Sequence, residues 1–283
     1  MKKRVAVIGG GLIGMRAAVM AAQQGHSVTL YERRQQLGGK AAQYAGLYPF
    51  KWPIRRYCSW LEEELEAQGV RVLTGRAPEP ARIAEEGYDA IIACTGSTAK
   101  RPPIPGAEDP GAYTSEDIYE RRVLPEQLGR HIVFVGGSGA VMETAMYLAG
   151  TGRAITLITR QSTPARDLSY AHSNFYENVV KIDPEVGYGG MLPAWTAYED
   201  FEVILEARTV RVSPRAVTYV DKDGQEVTLE CDGVVVNGGF RPCQSEALAY
   251  AGCAPEFYVA GDAEGCSTIQ QGNVSAFGKV HLL

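Results

Sequence analysis

Near the start of the chain, three glycines and one acid have the spacing of a phosphate-binding turn. They are Gly9-x-Gly11-x-x-Gly14, with Glu32 standing 23 residues after Gly9. Each type has a physical task. Gly9 permits a tight turn off a strand, Gly11 lets backbone N–H groups approach a pyrophosphate, and Gly14 lets the next helix press on that strand. A helix N-terminus adds free N–H donors and partial positive charge. Glu32 lies at the distance of an acid that bonds the ribose hydroxyls of an adenosine. Glycine spacing alone is weak; with a strand before, a helix after and the acid in place it is specific.

Those residues need a strand–turn–helix–strand to hold them. Residues 4–8 read as a buried strand, 15–24 as a helix with Ala17, Ala18, Ala21 and Ala22 as small packing residues, and 27–31 as a second strand. Shifting the chain by 127 positions repeats the pattern: Val5 maps to Ile132, Gly9 to Gly136, Gly10 to Gly137 and Leu30 to Leu157. Residues 131–160 are therefore expected to form a second opening of the same kind. In the repeat Gly11 becomes Ser138, Gly14 becomes Val141 and Glu32 becomes Thr159, while Gly139 adds flexibility. Ser138 still permits close approach; Val141 implies looser helix–strand packing.

A further correspondence runs at offset 143, between residues 89–96 and 232–239. Both read as buried strands ending in a glycine turn, with Pro102, Pro103 and Pro105 after the first and Pro242 after the second. A strand that closes a nucleotide domain and then exits to another has this form; two unrelated apolar strands are the alternative. Residues 257–263 read as a short strand ending in Gly261-Asp262, followed by a helix from Thr268 or Gln270 onward. By itself Gly-Asp reads as a turn.

Composition narrows the classes. The 283 residues are 45% hydrophobic and 22% charged, which is ordinary for a globular chain and fits two modest domains or one large α/β domain. The 32 glycines follow no Gly-X-Y period, which excludes collagen. A net charge of −5 argues against broad nucleic-acid or anionic-membrane binding. The basic start followed by apolar residues imitates a signal peptide but is broken by Gly9, Gly10, Gly11 and Arg16. No apolar run spans a membrane, and a cytoplasmic location is expected. Cysteines 58, 94, 231, 243, 253 and 266 include no C-x-x-C pair, which weakens a zinc ribbon, an iron–sulfur site and a redox dithiol together; the four histidines are scattered and no metal site is expected.

Taken together, these segments resemble the two-dinucleotide-binding-domain flavoprotein superfamily over nearly the whole chain. Val5 to Glu32 looks like its FAD site, Ala93-Cys94-Thr95-Gly96 like its Ala-Thr-Gly segment with a cysteine inserted, residues 131–160 like its nicotinamide nucleotide site, and residues 257–262 like the second flavin motif, whose aspartate binds the ribityl chain. The nearest likeness is to the C-terminal half of the 2,4-dienoyl-CoA reductase, 2-enoate reductase and trimethylamine dehydrogenase family. It is carried by Leu37-Gly38-Gly39-Lys40, residues 57–69, residues 269–273, Ala165-Arg166-Asp167 and Ser169-Tyr170. In that family an N-terminal barrel with FMN and an iron–sulfur cluster precedes these domains. Neither barrel nor cluster cysteines occur in these 283 residues, so either a separate subunit supplies that half or the chain works differently.

The resemblance implies an α/β fold of two Rossmann-like three-layer domains in a thioredoxin-reductase-like arrangement. The FAD domain is expected to be discontinuous, residues 1–105 plus 242–283, with the NAD(P)H domain inserted as residues 106–241. FAD contacts are expected at Gly9, Gly11, Gly14, Glu32, Arg33, Gly39, Lys40, Thr95, Gly96, Gly261, Asp262, Gln270 and Gln271, and NAD(P)H contacts at Gly136, Gly137, Ser138, Gly139, Glu143, Thr159 and Arg160. The helix near Gln270 is the candidate for stabilising negative charge at flavin N1 and O2, with a solvated helix start as the alternative. Glu143 is expected at the start of the second helix, near the nicotinamide or the domain crevice, unless it is an exposed helix glutamate.

Thr159-Arg160 replaces the acid that reads a ribose 2′-hydroxyl, which favours NADPH over NADH; a strand-end surface arginine, like Arg33 after Glu32, is the plainer reading. His172 is a weak candidate proton donor, and Trp52, Trp60 and Trp195 read as core or interface residues. The expected activity is FAD-dependent oxidation of NAD(P)H, with electrons leaving to a partner reductase subunit or small acceptor, and homo-oligomerisation is open. A non-catalytic nucleotide-binding subunit and a ferredoxin-NADP-reductase-like enzyme are the alternatives. Thioredoxin reductase itself needs a paired-cysteine centre that the sequence lacks.

Overall fold

The computed structural model describes residues 1–47, 51–165, 179–180, 191–192, 198–265 and 268–283. Arg166, Asp167, Ser169, Tyr170, His172, Trp195 and Cys266 lie outside the described residues. The chain divides into two units, Met1–Thr98 with Phe240–Leu283, and Ala99–Gly239.

The first unit is built on five parallel strands in the order Arg71–Leu73, Ser27–Tyr31, Arg4–Ile8, Ala90–Ala93, Glu256–Val259. The central strands are apolar on both faces, as a sheet covered on both sides requires. Alternation sorts their side chains. Val5 and Val7 pack with Leu12, Met15, Val19, Leu61, Leu65, Ala276 and Val280, from helices Leu12–Gln23, Trp52–Ala67 and Ile269–Val280. Ala6 and Ile8 face the other way, with Ile83, Tyr88 and Tyr250. The result is a three-layer α/β unit.

The second unit repeats the plan. Its parallel strands run Phe201–Ile204, Ala154–Ile158, His131–Val135, Gly233–Val236, Ala112–Tyr113. The repeat extends to register: Ile8 lies opposite Tyr31, and Val135 opposite Ile158, both at offset 127. The strands at offset 143, Ala90–Ala93 and Gly233–Val236, occupy the same place in the two sheets. The offset widens between the second and fourth strands, where the second unit carries an antiparallel meander, Arg208–Ser213, Ala216–Val220 and Glu226–Glu230. That meander covers one sheet face through Val212, Val217 and Tyr219 against Val133, Val135, Val234 and Val236. The fifth strands differ in origin, since one follows the inserted unit in sequence and the other opens it.

Several expectations shift. The first helix begins at Leu12, three residues before the expected 15, which makes Gly11 its N-cap. Glu143 does not begin a helix: it is the fifth residue of Gly139–Ala149 and only 2% exposed, because its turn of the helix faces the interior. Trp52 is not a core residue but is 63% exposed at the start of its helix, whereas Trp60 is partly buried and stacks on Tyr57 at 5.8 Å. The prolines from 102 to 105 lie in the second unit. Backbone bonds hold them there, Gly238 N–H to Lys100 O at 2.7 Å and Val212 N–H to Pro105 O at 2.9 Å.

The tightest point of the fold is the first turn. Gly9 has φ +105°, and a Cβ on Gly14 would sit 1.8 Å from its carbonyl oxygen. Gly14→Ala is therefore expected to destabilise the first unit by about 3 kcal/mol, read as a lowered urea midpoint of its unfolding transition.

Candidate functional site

The strand Arg4–Ile8 ends where Gly9 turns, and helix Leu12–Gln23 starts at Gly11, whose side chain position faces open space: no atom lies within 4 Å of a Cβ built there. The first N–H groups of the helix end therefore adjoin free volume, a geometry suited to an anion. Gly10 closes the other side. A Cβ on it would lie 2.9 Å from the Glu32 Cβ, and its N–H donates to Glu32 Oε2 at 2.7 Å. The N–H of Arg34 donates to Glu32 Oε1, also at 2.7 Å. Glu32 is thus 6% exposed with both oxygens anchored by backbone. A carboxylate has about four lone-pair sites, so two remain to receive hydroxyls. Arg33 instead points outward, paired with Glu246 at 3.5 Å.

Leu37-Gly38-Gly39-Lys40 folds against the same turn. Gly38 N–H donates to Gly10 O at 2.8 Å, and a Cβ on Gly39 would be 3.0 Å from Gly11 Cα. This places Lys40 at the start of helix Gly39–Leu47. Its ammonium donates to Ser97 Oγ, which donates to Asp262 Oδ2 at 2.8 Å, and Lys40 Nζ lies 3.9 Å from that same oxygen. Asp262 Oδ1 accepts no hydrogen bond among the described residues. Thr95 and Gly96 serve a different neighbour: Thr95 Oγ1 donates to Cys243 O at 2.9 Å and Gly96 O accepts from Cys243 N–H at 2.9 Å. Gly261, at φ +70°, packs on Ile13.

Helix Ile269–Val280 starts with a capping box, in which Gln271 N–H donates to Thr268 Oγ1 at 3.3 Å and Thr268 N–H to Gln271 Oε1 at 3.2 Å. The side-chain oxygen of Gln271 is thereby engaged by the cap, while Gln270 is exposed. The signal was present in the sequence as Thr-x-x-Gln. Ser97 was not singled out there, although it directly follows Thr95-Gly96.

The second unit shows how the degenerate fingerprint folds. A Cβ on Gly137 would fall 2.2 Å from Thr159 Oγ1, so Thr159 abuts Gly137 as Glu32 abuts Gly10. Thr159 is buried and its hydroxyl accepts from Gln161 N–H at 3.2 Å. The turn itself is more open. A Cβ on Gly136 would meet Asn237 O at 3.1 Å, where one on Gly9 would meet Cys94 O at 2.3 Å, and Val141 fills the difference. Ser138 caps helix Gly139–Ala149 by accepting from Val141 N–H at 3.4 Å, so one helix-end donor is already satisfied. Arg160 is exposed, with no hydrogen bond or ion pair among the described residues.

Among the described residues Cys58, Cys94, Cys231, Cys243 and Cys253 form no disulfide. Burial pushes the Cys94 thiol up to about 12 and those of Cys58 and Cys231 up to about 11, which keeps them protonated and unreactive near neutrality. The described residues contain no cluster suited to a metal and no helix long and apolar enough to cross a membrane.

Two family profiles match: NAD(P)-binding Rossmann-like domain over residues 7–66 and pyridine nucleotide-disulphide oxidoreductase over residues 82–186. The chain carries both of these domain types. It is an oxidoreductase that uses FAD and NAD(P)H. A "NADH oxidase" of Thermoanaerobacter brockii is 33% identical over 252 residues, 87% of this chain and 35% of that protein. A "cinnamate reductase" of Clostridium sporogenes is 34% identical over 160 residues, 56% of this chain and 23% of the relative. A solved 2-naphthoyl-CoA reductase in complex with 2-naphthoyl-CoA superposes with a TM-score of 0.85 over 99% of this chain and 40% of that one; at 24% identity the likeness is one of fold. The chain spans about a third of the first of these curated relatives and about a quarter of the second, in keeping with the C-terminal half of the enoate reductase family.

The open flank of Gly11 separates folding from binding. Gly11 has φ −69° and ψ 176°, which valine adopts readily. Gly11→Val is expected to leave unfolding within about 0.5 kcal/mol of the parent while weakening FAD by more than tenfold, about 1.4 kcal/mol, measured by flavin fluorescence titration.

Proposed function

We propose that the first unit holds FAD, that the second binds NAD(P)H, and that electrons leave to a partner reductase subunit or a small acceptor. The observation that carries this reading is the pair of register-matched dinucleotide turns, of which only the first has both an anchored acid, Glu32, and an aspartate, Asp262, with an oxygen to spare. Bound FAD supplies the acceptor for a hydride from reduced nicotinamide. The chain's own residues bind and orient. Gly11 and the helix end behind it receive the pyrophosphate, Glu32 the adenosine ribose, and Asp262 the ribityl hydroxyls. In the second unit Gly136, Gly137 and Ser138 line the equivalent turn, and Arg160 stands free to meet a 2′-phosphate. Gln270 at the exposed start of the last helix is available to the flavin ring.

Among the described residues the cysteines form no disulfide and no group of side chains suits a metal ion. The short match to longer reductases supports a reductase partner of the barrel type, with a ferredoxin-like carrier as the alternative acceptor. The Ser138 cap and Val141 favour one second reading, in which the second turn holds a nucleotide without turnover.

Anaerobic mixing distinguishes these readings. The purified chain should release FAD on heating, and NADPH should bleach its flavin absorbance. FMN alone, or no flavin affinity, refutes the FAD reading, and an unbleached FAD protein supports the non-catalytic one. With NADPH in turnover, an artificial acceptor should be reduced and a 2-enoate should not. Arg160→Glu should lower the preference for NADPH over NADH in flavin reduction by roughly ten- to a hundredfold, about 1.5–3 kcal/mol. An unchanged ratio would remove Arg160 from phosphate recognition.

A further inference from the structure

We propose that Ser97 and Lys40 are positioning residues that aim Asp262 at the ribityl chain of FAD, an inference that rests on the proposed role of Asp262. The three come from distant parts of the first unit: Lys40 from the helix after the second strand, Ser97 from the strand Ser97–Ala99, and Asp262 from the turn Gly261–Ala263. A free aspartate on a short turn samples several rotamers, and ordering it when a ligand arrives costs affinity. Here that ordering precedes the ligand. Ser97 is 6% exposed, and its hydroxyl has one proton to give. It accepts from the Lys40 ammonium and gives that proton to Asp262 Oδ2 at 2.8 Å.

The direction of the chain is therefore set: Lys40 can only donate and Asp262, as a carboxylate, can only accept, so the serine hydroxyl has one orientation open to it. Lys40 also faces Oδ2 directly at 3.9 Å, holding the carboxylate charge on that side. The Phe240 ring, 4.4 Å from Lys40 Nζ, supports the ammonium from a second direction. With Oδ2 anchored by the Ser97 proton, Oδ1 keeps both of its acceptor sites for a ribityl hydroxyl. Ser97 and Lys40 thus act on FAD through Asp262, and their effect belongs to the flavin half of the cofactor rather than its adenosine half.

That separation provides the test. FAD affinity of the full-length chain is measured by quenching of flavin fluorescence, and ADP affinity by competition, since ADP engages Gly11 and Glu32 but has no ribityl chain. Ser97→Ala and Lys40→Met should each weaken FAD about tenfold and leave ADP unchanged, and Ser97→Thr, which keeps the hydroxyl, should restore FAD binding. If Asp262→Ala weakens FAD while Ser97→Ala and Lys40→Met do not, the positioning role is overturned and the reading of Asp262 stands. If Asp262→Ala is also without effect, that reading fails and takes the inference with it. Equal loss of FAD and ADP in Ser97→Ala and Lys40→Met would mark the pair as merely structural and overturn the proposal.

Discussion

The approach of the first helix to the turn before it governs the first unit. A Cβ on Gly14 would lie 1.8 Å from the Gly9 carbonyl oxygen, so the helix rests directly on the backbone of the turn. That contact brings the helix N-terminus to the end of the central strand, with Gly11 facing open volume. It leaves room for Gly10 to touch Glu32 and for Gly38 to bond to Gly10 O, which in turn carries Lys40 to the site. A side chain at position 14 would move the helix outward and loosen each of these contacts.

The second unit shows what happens when the same plan is relaxed. Val141 stands where Gly14 does, the turn opens at Gly136, and Ser138 takes one helix-end donor for itself. The sheet tolerates this because its strands keep the same order and register and their apolar faces remain covered, here partly by a meander. The cost falls on the ligand side of the turn, where fewer donors are left and a neutral threonine replaces an acid. The two units therefore offer different chemistry on matching frames, as expected when function resides in the site rather than the fold.

Charge placement reinforces the division. In the first unit two carboxylates are held by named donors: Glu32 by backbone N–H groups, and Asp262 by a hydroxyl and an ammonium. Both sit at strand ends, where parallel α/β sheets bind ligands. The thiols of Cys58, Cys94 and Cys231, by contrast, are buried, and burial suppresses their ionisation.

The repeat at offsets 127 and 143 was legible in the sequence and coincides with strands His131–Val135, Ala154–Ile158 and Gly233–Val236. A strand–turn–helix–strand is local: its periodicity, its glycines and its acid all lie within about thirty residues, and the physics that aligns them is short-range. The same arithmetic paired Thr159 with Glu32 and Gly137 with Gly10, and the structure shows that Thr159 abuts Gly137. The burial of Glu143 did not follow from it, because the sequence does not say which face of a helix meets the rest of the fold when both faces carry small and apolar residues. Nor did the membership of the prolines near 102, which long-range backbone bonds to Gly238 and Val212 decide. The Lys40–Ser97–Asp262 chain joins positions up to 222 residues apart, and no spacing rule reports such a meeting. Local sequence determined the strands, the turns and the residue types able to bind a dinucleotide. Only tertiary packing decided which side chains would converge, because hydrogen-bond geometry is set by the final positions of elements that are remote along the chain.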